Sequence, residues 1–172
     1  IARLLGKISY GEYSMLKNTF LSVSIISLFG LGYLVTKVFA ENKDTSKTTL
    51  NFILNKFIRL ALIISLLCCL LFFLFEEKLC VFFFENIRLK GLMRLFVITL
   101  PFSSLLLIYQ GAISGLGRFK KISLINLKIG IFQLFSSIFL CFLFNAYGVV
   151  ISFLLTLILN TYLLKIDFDK LD

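Results

Sequence analysis

Residues 129–164, "IGIFQLFSSIFLCFLFNAYGVVISFLLTLILNTYLL", are 36 consecutive residues without a charge. As one helix the stretch would be roughly 54 Å long, against a bilayer hydrocarbon core of about 30 Å. It is too long for a single crossing, so it must fold back. The turn is expected at "NAYG", Asn145 to Gly148, the only cluster of turn-forming residues inside the run.

The same criterion, applied outward, finds the other spans. Asn18 to Thr36 is 19 residues without a charge, and Leu95 to Gly117 is 23. Leu60 to Phe75 is 16 and extends through Phe57 and Ile58 across Arg59. Five full crossings are expected, at about 15–39, 57–75, 94–116, 123–144 and 147–164. The fold class expected is therefore all-α, a polytopic membrane protein. Composition agrees: 59% of residues are hydrophobic and 16% charged, with a mean hydropathy of +1.00, more apolar surface than a soluble domain of this length can hide.

The formal charge is +9, from 18 basic and 9 acidic residues. In a soluble protein that excess would suggest nucleic acid, but here the basic residues lie between apolar segments. Anionic lipid headgroups and topology explain them better, and no nucleic-acid partner is expected. The ends and connections following the first, third and fifth crossings carry 11 basic residues: Lys37, Lys43, Lys47, Lys56, Arg59, Arg118, Lys120, Lys121, Lys128, Lys165 and Lys170. The opposite side carries 7: Arg3, Lys7, Lys17, Lys78, Arg88, Lys90 and Arg94. By the positive-inside rule residues 1–13 are outside and the C-terminal tail is cytoplasmic. The first residue is Ile, so a further crossing is expected upstream.

With no His, and Cys at 68, 69, 80 and 141 without C-x-x-C spacing, the chain offers no zinc or haem ligand set, and no cofactor or metal is expected. The cysteines inside apolar runs read as small polarizable fillers. Every acidic residue lies outside the spans or at their edges, so none is placed to relay protons or hold a cationic drug at mid-membrane. No His, no acidic pair in a crossing and no nucleotide-binding loop argue against an enzyme.

Two connections read as more than linkers. "TLNFILNKFIRL", 49–60, has an apolar helical stripe suited to an interfacial helix before the second crossing. "EEKLCVFFFENIRLKG", 76–91, is too short in its apolar part to span and reads as an outer-surface segment. Pro101 falls inside the third crossing, where a kink is plausible, and Gly111, Gly115 and Gly117 would allow close helix contact.

The charges that enter the spans are basic. Lys128 lies seven residues beyond Lys121, roughly 10 Å deeper along a helix, and Lys17 and Lys37 stand at the two ends of the first crossing. Each reads either as a snorkelling anchor or as a cavity cation suited to an anion such as phosphate. Lys37, Lys128 and Lys17 are the candidate substrate-binding residues.

Three stretches carry a family resemblance. "IARLLGKISYGEYSML", 1–16, resembles the loop after the first helix in lipid-linked oligosaccharide flippases, the O-antigen and polysaccharide exporters of the multidrug, oligosaccharidyl-lipid and polysaccharide exporter superfamily. "GLGYLVTKVFAE", 30–41, is similar to the end of that family's second helix, and "ISGLGRFKKISLINL", 113–127, to its connection between the fourth and fifth. Gly32 and Tyr33 depart from a small polar pair common at that place. The resemblance implies that residues 1–172 are most of an N-terminal lobe of six helices, lacking the first helix and the second lobe of a two-lobed transporter.

The implied activity is translocation of an undecaprenyl-diphosphate-linked oligosaccharide, an O-antigen or other surface polysaccharide unit, across the bacterial inner membrane by alternating access. Lys37 and Lys128 would then help capture the diphosphate from inside, and a polysaccharide polymerase complex would be a partner. Multidrug export, peptidoglycan-precursor export and a non-transporting membrane remnant are the alternatives that the same architecture admits.

Overall fold

The computed structural model describes residues 6–27, 30–84 and 90–170. Arg3, Glu85, Arg88 and Asp172 lie outside the described residues. The helices are α1 (Lys7–Ser27), α2 (Leu31–Glu41), α3 (Lys47–Leu74), α4 (Glu76–Phe84), α5 (Lys90–Gly115) and α6 (Phe119–Asp169), with no strand among the described residues. By length and composition α3, α5 and α6 are able to cross a membrane. The chain is an all-helical membrane protein.

α6 is a hairpin. At Asn145 the backbone takes φ 51° and ψ −131°, reversing the direction of the chain. The two arms, each roughly 35–40 Å long at 1.5 Å per residue, then lie side by side. Asn160 Nδ2 donates to Asn126 Oδ1 at 3.3 Å, and Lys121 pairs with Asp167 at 3.1 Å, contacts no straight helix could make across 34 and 46 residues. A Cβ on Gly148 would collide with the Leu140 carbonyl, so only glycine lets the second arm leave the turn this close to the first.

The expected crossing at 15–39 is two helices, α1 and α2. Gly30 begins α2 in the left-handed conformation, φ 74°, which a side chain disfavours and glycine adopts freely. The expected interfacial helix at 49–60 is likewise corrected: α3 runs unbroken from Lys47 to Leu74, continuous with the crossing it was to precede. Neither Gly nor Pro interrupts those 28 residues, and Ser46 caps the start by accepting the Thr49 N–H at 3.4 Å. The segment from 76 holds the nine-residue α4, too short to span.

α5 is the axis of the bundle, packing against α1, α2, α3, α4 and both arms of α6. Its buried side chains belong to two apolar tiers. One joins Leu16 and Phe20 of α1, Met93, Phe96 and Val97 of α5, and Val149 and Val150 of α6. Phe96 is its centre, stacked on Phe20 at 5.5 Å between ring centroids. The second joins Val35 and Phe39 of α2, Leu50 and Leu54 of α3, Ile108 and Ala112 of α5, and Leu164 and Phe168 of α6.

Along α5 the tiers are separated by Pro101, Ser103 and Ser104, and each of the other long helices places small polar residues at the same interval: Ser65 on α3, Ser152, Thr156 and Asn160 on α6. The hydroxyls bond back to carbonyls three or four residues earlier, as Ser104 does to Pro101 and Thr156 to Ser152, so they are satisfied without a partner helix and allow close packing.

The glycines of α5 bring it against α2. A Cβ on Gly111 would lie 2.8 Å from the Gly32 carbonyl oxygen, and one on Gly115 would lie 2.5 Å from the Thr36 carbonyl oxygen and 2.7 Å from Phe39 Cβ. Expected close contact at Gly111 and Gly115 is thus present. Gly117 serves differently, ending the turn before α6 with φ 77°. The stretches 30–41 and 113–127, separate in sequence, meet along this contact.

Pro101 does not break α5. A proline removes the N–H that would reach the carbonyl four residues earlier, here Val97. That carbonyl instead accepts from the Cys69 thiol at 3.3 Å, deep in the first tier. Cys69 is therefore more than a filler.

Candidate functional site

A cavity of about 710 Å³ lies between α1 and the two arms of α6. From α1 it receives Tyr10, Tyr13 and Lys17, one helical face by their spacing of three and four residues. From α6 it receives Gln133 and Ser137 on the first arm and Ser152 on the second. These α6 residues lie roughly 10–18 Å from the Asn145 turn along the helix axis, so the cavity reaches well into the bundle.

Lys17 is the cation of this cavity. Its ammonium stands 5.7 Å from the centroid of the Phe153 ring, a weak cation–π contact, and has no carboxylate partner among the described residues. Ser137 and Ser152 are buried and spend their O–H groups on the Leu134 and Val149 carbonyls. Their oxygens remain available only as acceptors. The wall therefore offers donors at Lys17, the Gln133 amide and the tyrosine hydroxyls, and acceptors at the two serines, a set suited to a ligand with both anionic oxygens and hydroxyl groups.

The three candidate lysines are not brought together. Lys37 is exposed on α2 and pairs with Glu41 one turn later at 3.9 Å, an exposed contact worth about 0.3–0.5 kcal/mol. Lys128 is exposed on the first arm of α6, on the face opposite Gly130, Gln133 and Ser137, among the exposed side chains Leu124, Leu127, Ile131 and Phe135. Only Lys17 lines the cavity.

Sequence reasoning passed over the uncharged polar residues. Tyr10, Tyr13, Gln133, Ser137 and Ser152 were not singled out, although Gln133 and Ser137 at i and i+4 are a legible polar stripe in an apolar run. It also passed over a carboxamide junction: Gln110 Nε2 and Asn160 Nδ2 both donate to Asn126 Oδ1, at 3.4 and 3.3 Å, tying α5 and both arms of α6. The Asn160 carbonyl oxygen is buried there without a partner.

Outside the apolar tiers, Glu76 receives Arg94 in a two-pronged contact, 2.8 Å on each oxygen, and Lys90 at 2.8 Å. Lys90 also reaches Glu77 at 2.8 Å. Hydrogen bonds from Arg94 first and Lys90 second hold the Glu76 carboxyl down at about 2. Two of the basic residues assigned to the outer side are thus neutralised locally, which ties α4 to the start of α5.

A family model described as "Polysaccharide biosynthesis protein" matches residues 1–170. No curated protein and no solved structure matches the chain.

Proposed function

The chain belongs to the polysaccharide biosynthesis protein family, and from that premise we propose that it works in moving an undecaprenyl-diphosphate-linked oligosaccharide across the bacterial cytoplasmic membrane by alternating access. The observation that carries the reading is the family match over nearly the whole chain. It is supported by an all-helical bundle with membrane-length helices and by a cavity whose single cation sits among hydroxyl and amide groups, since a diphosphate joined to a sugar presents anionic oxygens and hydroxyls together.

In this reading Lys37 and Lys128 attract the diphosphate at the cytoplasmic rim, and Lys17 receives it within the bundle. The protein is a transporter rather than an enzyme, with residues 1–13 outside and the C-terminal tail inside. Anionic lipids surround the basic side, and a polymerase complex takes the delivered unit.

The test is export by the complete protein in a strain lacking its own flippase, read as surface polysaccharide recovered and lipid-linked precursor accumulated. The unaltered protein restores the polysaccharide, while Lys17→Met and Lys128→Leu each sharply reduce it and raise the precursor. Failure of the unaltered, membrane-inserted protein to restore export would overturn the flippase reading. Full export by Lys128→Leu would remove Lys128 from the mechanism, and the same result with Lys17→Met would remove Lys17.

A further inference from the structure

The end of the bundle where α2 finishes, α3 begins and α5 turns into α6 holds a second polar cavity of about 380 Å³. Three cations line it from three separate places: Lys43 from the α2–α3 loop, Lys47 as the first residue of α3, and Arg118 from the α5–α6 turn. None has a carboxylate partner among the described residues. Of the acids at this end, Glu41 pairs with Lys37 and Asp167 with Lys121, while Asp44, next to Lys43 in the chain, and Asp169 form no ion pair among the described residues.

Three like charges around one cavity repel one another, and an anion relieves that repulsion. The local backbone adds to the same sign. α3 is 28 residues long and opens at this cavity, so its N-terminal dipole is positive here. Ser46 Oγ takes up the Thr49 N–H, while the amides of Lys47 and Thr48 have no partner within the helix. Arg118 brings a planar fork matched to two oxygens of one phosphate, and the lysines bring point charges.

The cavity is not wholly polar. Leu50 and Leu116 line it as well, both buried in the second tier. The Lys43 ammonium lies 4.0 Å from where a Cβ on Gly117 would stand, which places it beside the α5–α6 turn that carries Arg118. A charged rim over an apolar floor suits a phosphate that carries a hydrocarbon chain better than a free ion.

We propose that Lys43, Lys47 and Arg118 form a binding site for the phosphate headgroup of a membrane lipid, preferring headgroups with two or more negative charges. The site rests on this geometry alone and does not require the transport reading. Its ligand comes either from a lipid-linked diphosphate or from an anionic phospholipid of the surrounding membrane.

The experiment uses the full chain, purified in detergent and titrated with undecaprenyl diphosphate, phosphatidylglycerol, phosphatidylethanolamine or inorganic pyrophosphate, with bound lipid read by native mass spectrometry. Undecaprenyl diphosphate is expected to bind at least tenfold more tightly than phosphatidylglycerol, and pyrophosphate more weakly than the lipid diphosphate. The variants Lys43→Gln, Lys47→Gln and Arg118→Gln each weaken binding several-fold, and Arg118→Lys weakens it less than Arg118→Gln. Lys165→Gln removes the same charge outside the cavity and serves as the control.

If Lys165→Gln weakens binding as much as Lys43→Gln, the effect is bulk surface charge and the site falls. Equal binding of phosphatidylethanolamine and the anionic lipids also overturns it. Equal binding of phosphatidylglycerol and undecaprenyl diphosphate overturns the preference for multiple charge and assigns the site to membrane phospholipid. Headgroup binding that depends on the three cations, in a protein that fails to restore export, keeps this site while removing the flippase reading.

Discussion

Replacing Cys69 by alanine removes the thiol that satisfies the Val97 carbonyl, and the loss should depend on whether residue 101 is proline. With Pro101 present, the Val97 oxygen has no N–H four residues ahead and takes the Cys69 Sγ at 3.3 Å, with Val97 almost wholly buried. An unpaired buried polar group costs about 1–3 kcal/mol, and because a thiol is a weak donor the lower end applies, about 1 kcal/mol. Loss of the sulfur's packing adds about 1 kcal/mol, judged from the value of a buried methylene.

In a Pro101→Ala background residue 101 regains its N–H, the Val97 carbonyl closes its helical bond, and Cys69→Ala should then cost only the packing contribution. The coupling between the two positions is therefore about 1 kcal/mol, and Cys69→Ser, which keeps a donor, should cost less than Cys69→Ala when Pro101 is present. Equilibrium unfolding of the four proteins by sodium dodecyl sulfate in mixed micelles measures the coupling as a double-mutant cycle. Equal losses for Cys69→Ala in both backgrounds would refute the reasoning, because the thiol would then be only a filler.

Two further outcomes follow from particular contacts. Gly115→Ala places a Cβ 2.5 Å from the Thr36 carbonyl oxygen and 2.7 Å from Phe39 Cβ, and forcing α2 away from α5 should cost about 1–3 kcal/mol; the same unfolding measurement checks it, and a neutral substitution would contradict the close approach. The Glu76 carboxyl is held at about 2 by Arg94 and Lys90, below its ordinary value, so its contribution to stability is fully present above about pH 4.5 and is lost as pH falls from there through about 2. Proteolysis of the α4 region followed across that window should show the loss, and Glu76→Gln should lack it.

How much of this was legible beforehand differs from residue to residue. The doubling-back at Asn145 was readable because 36 uncharged residues exceed what one crossing can hold, and NAYG is the one cluster of turn residues in them. The contact at Gly111 and Gly115 was readable because a missing side chain is itself the feature that permits close packing. The break at Gly30 was not, since glycine is tolerated in membrane helices and its presence alone does not announce a left-handed conformation. Nor was the bond from Cys69 to Val97, which joins helices 28 residues apart in the chain.

The candidate lysines divide along the same line. Their presence within or beside uncharged runs is a property of composition, and the cost of moving a charge out of water is local to each residue, so sequence alone could name Lys17, Lys37 and Lys128 and could determine that the chain is helical and made for a membrane. Which way each lysine faces depends on the rotation of its helix, and that rotation is fixed by packing: Phe20 on Phe96 turns Lys17 toward the cavity, while the carboxamide junction at Asn126 faces the bundle and leaves Lys128 on the opposite side of its arm. Chain composition determined the solvent and the long apolar helices, because transfer energies add along a segment. Only the tertiary structure decided the cavities, because a cavity is made by side chains from different helices meeting at one level.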